Sequence, residues 1–139
     1  MRSKLAAILA GGALLLAAGA PIYAHHAFSA EFDVKKPLTL KGTLKKWDMI
    51  NPHSWFHLDV KGEDGKIVPW MVEGGSPNTL IRNGVTKNSV PIGTELVIEG
   101  YASKDGTNKA VGRNFLFADG RRMFLGGSAP GQPGAGEKK

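Results

Sequence analysis

Apolar and polar residues alternate with a period of two through the middle of the chain, which is the signature of half-buried β-strands. Leu38, Leu40 and Leu44 fall on one face, Thr39, Lys41, Thr43 and Lys45 on the other, with Gly42 on the inner row as a bend. The strand runs on, bulged, through Trp47 to Met49. Asn51-Pro52 then breaks it, since proline cannot donate to a ladder and Asn-Pro favours a turn. A second strand sets Phe56, Leu58 and Val60 inward and Trp55, His57 and Asp59 outward. The "GEDG" turn leads into a third, "KIVPWMVE", whose inner row is Val68, Trp70 and Val72.

The next stretch, "GGSPNTLIRNG", changes period. Ser76 is a suitable N-cap, Pro77 suits the first helical position and Gly84 is placed to end a helix of one or two turns. A fourth strand, "ELVIEGYAS", follows "PIGT"; after the "KDGTN" turn comes a fifth, "AVGRNFLF", and "ADGRRMFL" reads as a small terminal hairpin. Five strands with one short helix between the third and fourth is the order of the OB-fold, a small five-stranded Greek-key barrel. The pattern therefore predicts an all-β domain over residues 37–125, OB-like, with another small β-barrel or sandwich as the alternative.

The two ends differ from this middle. Arg2 and Lys4 precede an apolar run from Leu5 to Ala18, and "GAPIYA" closes it with Ile22 and Ala24 at the −3 and −1 positions of a peptidase site. The run is shorter than the ~20 residues of a membrane-spanning helix. Residues 1–24 thus read as a cleaved signal peptide, with a periplasmic or secreted product and no stable membrane insertion. A mature chain starting at His25 has an N-terminal arm over 25–36. Residues 126–139, "GGSAPGQPGAGEKK", are too rich in Gly, Pro and Ala to offset the entropy of ordering and read as a flexible C-terminal tail. No cysteine is present, which removes disulfides, thiolate metal sites and cysteine nucleophiles together. Without the signal, sixteen basic residues face twelve acidic ones. The charges are spread out, which argues against a nucleic-acid partner.

Several motifs in fixed order carry a resemblance. "HHAFSAEFD", "PLTLKGT", "NPHSW", "EGGSPN" with its following Leu, Arg and Gly, "LVIEGY" and "DGRRMF" resemble domain of unknown function family 6152. That resemblance implies a small exported bacterial protein, β-rich, and brings no activity with it. The chemistry has to come from the residues.

All four histidines sit in two places: His25-His26 at the mature start, and His53 and His57 around Trp55. Imidazole suits copper, zinc, iron and nickel, and copper(II) heads the affinity order and favours tetragonal nitrogen sets. A free N-terminal histidine can chelate through its α-amine and Nδ1, and a further imidazole can complete a T-shaped site. The other reading is that these histidines are simply tolerated on a frayed end. His53 and His57 would lie ~13 Å apart on an unbroken strand at ~3.3 Å per residue. Only a turn at Pro52-His53-Ser54 would fold His53 back, so His57 is the better expected partner of the N-terminal segment. Alternatively, His53 hydrogen-bonds loop backbone and His57 packs on an aromatic neighbour.

Two functions follow. The first is an exported protein that binds a transition metal, copper foremost, through His25 and His26 with help from His57 or His53. The second is a non-enzymatic module that binds a periplasmic protein or small ligand at the Asn51–Trp55 corner, with Trp47, Glu73 and Ser76 as further candidates. Catalysis is not expected: Ser54 shows no nucleophile elbow, and no pair of carboxylates stands out among Glu31, Asp33, Asp48, Asp59 and Glu73. The glycine turn at "EGGSPN" could expose amides to an anion, or serve only to turn the chain into the helix.

Overall fold

The computed structural model describes residues 28–129. Its elements are β1 (Phe32–Asp48), β2 (Trp55–Lys61), β3 (Ile67–Glu73), α1 (Pro77–Arg82), β4 (Glu95–Ser103), β5 (Lys109–Phe117) and β6 (Arg122–Phe124). Pairing runs β3–β2–β1–β4–β5–β6. A parallel contact between Met71–Glu73 of β3 and Lys109–Val111 of β5 returns the sheet to its start, so the five long strands form a closed ring. This is the OB-like all-β arrangement that the alternation and the single well-placed helix predict. Among the described residues no helix is long and apolar enough to cross a membrane.

β1 is long because it serves two partners. Pro37–Thr43 pair with β4 and Gly42–Asp48 with β2, and a register shift between Leu44 and Lys46 supplies the bulge. At Gly42 a Cβ would press on the Asp59 carbonyl, so the bend needs a residue without one. The inner rows meet as expected: Leu40, Leu44, Phe56, Leu58, Val72, Leu96, Ile98 and Phe115 are buried in one cluster, with Leu38, Val60 and Trp70 packed on its margin. Phe56 is its aromatic centre, 4.8 Å from the Trp47 ring and 4.8 Å, edge-on, from Phe115. Burial of that kind, at roughly 25 cal/mol per Å² of apolar surface, is the driving force that closes the ring. The helix follows its sequence signals. Ser76 Oγ accepts from Thr79 N, Pro77 opens the first turn, Leu80 is buried, and Gly84 takes φ +77° after the Asn83 cap.

The ends depart from expectation. β1 begins at Phe32, inside the span expected to be an arm, and residues 28–31 form a helical turn in addition to α1. Phe32 pairs with Ser103 of β4, and an irregularity between Phe32 and Pro37 takes Asp33, Val34, Lys35 and Lys36 out of strict alternation. Phe28, Phe32, Val111 and Ala129 form a second, smaller apolar cluster edged by Tyr101. The stretch from Gly126 is likewise not all tail: Ala129 is fully buried in that cluster. Just before it, Leu125 N donates to Arg113 O while Leu125 O accepts from Gly75 N. The glycines make this approach possible, since a Cβ on Gly75 would collide with the backbone of Gly126. Residues 1–24, read above as a signal peptide, lie outside the described residues, as do His25, His26 and residues 130–139.

Candidate functional site

The corner between β1 and β2 is built from Ile50 to Ser54. Ser54 N donates to Gly75 O at 3.0 Å and Gly74 N donates to Ser54 O at 2.9 Å, extending the β2–β3 ladder past Trp55. Those bonds fold the corner onto the end of β3, where Trp55 is the register partner of Glu73. The result brings His53 beside Glu73: Nδ1 lies 2.5 Å from Oε1. Two unprotonated groups could not sit so close. The ring nitrogen is shut off from solvent and faces the carboxylate off the line of an ideal hydrogen bond. The Glu73 carboxylate raises the His53 pKa above 6.5; burial opposes the shift and the more distant charge of Glu31 adds to it. Glu73 itself is nearly buried, and Ser128 Oγ donates to the same Oε1 at 3.3 Å.

A cavity of about 260 Å³ opens at this pair. Asn51, Pro52, His53 and Trp55 of the corner line it together with Glu73. Glu31 and Phe32 from one end of the described chain and Ser128 from the other complete its wall. Lys109 stands behind, its Nζ 3.4 Å from Glu31 Oε1 and 5.9 Å from the centre of the Trp55 ring. Asn51, Trp55 and Glu73 therefore line one opening.

Other candidates lie elsewhere. His57 does not line this cavity. Its Nε2 is 2.9 Å from Asp48 Oδ2, which also takes Lys46 Nζ at 2.9 Å; Lys46 and then His57 hold the Asp48 carboxyl below its usual range. The alternation points His57 outward correctly, but the carboxylate of Asp48, the last residue of β1, claims it. His53 is not folded back toward His57: the bend falls at Asn51-Pro52, Ser54 already pairs with Gly74 and Gly75, and His53 lies against Glu73 at the opening that Glu31 and Phe32 also line. Trp47 is a core residue, because the bulge rotates it onto Phe56. Ser76 is engaged as the helix cap, bonded to both Thr79 N and Thr79 Oγ1. The "EGGSPN" amides are likewise occupied, Gly74 N by Ser54 and Gly75 N by Leu125, which leaves no open anion cradle there.

Among the described residues no three His, Asp or Glu side chains converge tightly enough to hold a metal ion. His53–Glu73 and His57–Asp48 are separate pairs. Ser54 is fully buried and its Oγ meets no base, so it lacks what a nucleophile requires. Glu31 and Ser128 are the site residues that sequence reasoning passed over. Glu31 sits in a stretch that reads as an arm and Ser128 in one that reads as a tail, and neither carries a periodic signal.

Family comparison decides the relationship that the motifs suggest. The model described as "Family of unknown function (DUF6152)" matches residues 13–113, well over half of the chain. The chain belongs to that family. No curated protein and no solved structure matches it. The DUF6152 match takes in every cavity residue except Ser128, so the corner, Glu31 and Glu73 all fall within the family's span.

Proposed function

We propose that this DUF6152 protein is an exported, non-enzymatic binding module whose ligand enters the cavity between Asn51, Trp55 and Glu73. The observation that carries this reading is the convergence of four separate chain segments on one small opening, with a nearly buried carboxylate at its wall. A buried charge is costly unless paired, and His53 supplies the pair. Trp55, half-buried and lining the opening, offers a rigid aromatic face of the sort that anchors ligands and partners. The test is a titration of the low-molecular-weight fraction of a periplasmic extract into isotope-labelled protein. Saturable amide shifts are expected at Asn51, His53, Glu73 and the Trp55 indole, and their loss in Trp55→Ala with the remaining spectrum intact. Shifts that avoid the corner, or that survive Trp55→Ala, would remove the reading.

A second reading keeps copper. Glu31, six residues after His25, lines the same cavity as His53, which favours a site shared between the N-terminal histidines and the corner. Copper(II) and zinc(II) titrations of protein beginning at His25, beside protein with one added N-terminal residue, test it. Tight copper binding by the first only, weakened by His53→Gln, is expected; equal weak binding in both would end it.

A further inference from the structure

The cavity's charges and walls identify the chemistry of its occupant, and this inference rests on the binding-module reading above. The ionisable groups lining it are two carboxylates, Glu31 and Glu73, and one imidazole, His53; neither lysine nor arginine lines it. With His53 protonated the lining itself carries one net negative charge, and Lys109, just outside the lining, pairs with Glu31 and offsets it. An entering ammonium therefore takes the place of Lys109 at Glu31 and at the Trp55 face. The Glu73 carboxylate meets His53 Nδ1 and Ser128 Oγ, both through Oε1. The Trp55 face already lies beneath one ammonium, that of Lys109, which also reaches Glu31. An aromatic face and a carboxylate are together the usual surroundings of an organic cation. Phe32, Ile50 and Pro52 supply apolar wall for a methylene stem. At about 260 Å³ the space falls below the ~300–1,000 Å³ of sites for drug-sized ligands.

We infer that the cavity binds a small alkylammonium: a primary amine on a short apolar stem. The ammonium sits between the Glu31 and Glu73 carboxylates at the edge of the Trp55 ring, and the stem lies against Phe32, Ile50 and Pro52. A carboxylate in the same place would face Glu31 and Glu73, with His53 already engaged by Glu73 and Lys109 by Glu31.

The experiment titrates three probes of matched stem into the isotope-labelled protein: n-pentylammonium chloride, sodium pentanoate and 1-pentanol. Pentylammonium is expected to give saturable shifts at Asn51, His53, Trp55 and Glu73, and to bind at least about tenfold more tightly than either control, the worth of one charged hydrogen bond. Glu31→Gln, at an exposed position, is expected to weaken it about tenfold; Glu73→Gln should do the same where the variant keeps its fold. Pentanol or pentanoate binding as tightly at the same residues would overturn cation selectivity while leaving the corner a binding site. Undiminished pentylammonium binding in Glu31→Gln would overturn the proposed placement of the ammonium. Absence of all three probes from the corner would overturn the inference, and the extract titration with Trp55→Ala then decides separately whether the corner binds anything else.

Discussion

His53 is the residue on which the corner turns. Its proton is held by a nearly buried carboxylate, and the raised pKa means that folding favours the charged ring. The resulting stabilisation is fully present below the unfolded value near 6.5 and fades as pH rises through the higher folded value. His53→Gln should therefore flatten the fall in stability with rising pH across that window, measured by urea denaturation at a series of pH values. An unchanged slope would mean that the pair contributes nothing to the pH dependence. At this scale the sequence was informative about kind and weak about partners. Clustering of the histidines marked the corner, and the Asn-Pro break marked its turn. The carboxylates that claim His53 and His57 were invisible, because Glu73 lies twenty residues beyond His53 in the chain and Asp48 sits across a bulge that shifts the expected facing.

Elements defined by side-chain alternation were legible almost residue by residue, β4 over Glu95–Ser103 and the cap at Ser76 among them. Elements held by backbone contact were not. The first residues of β1 hide behind an irregularity filled by Asp33, Val34, Lys35 and Lys36. The segment from Leu125 to Ala129 is held by main-chain hydrogen bonds and by glycines that let backbones touch, which composition alone reads as slack. Its dependence on that contact is testable. Gly75→Ala places a methyl group against Gly126 and should cost about 1–3 kcal/mol, the usual penalty of overpacking. The urea midpoint should fall with little change in the slope of the transition. A midpoint equal to that of the unsubstituted protein would show that the segment gives way without cost.

At the scale of the molecule, the ring and its core stand apart from a smaller assembly in which the two ends of the described chain meet. Phe28 and Phe32 from one end and Ala129 from the other bury each other against Val111. The ring order was readable because strand count and helix position restrict the topology. The meeting of the ends was not, because no local pattern reports which distant segments share a pocket. Glu31 and Ser128 are separated by almost the whole described chain and yet face one cavity. An occupant of that cavity is thus a clasp: it fastens the first described segment to the last, and only the folded chain offers it a place. Occupancy should consequently be readable without any assay of function, as slower proteolytic trimming at both ends at once and as a rise in melting temperature that follows ligand concentration.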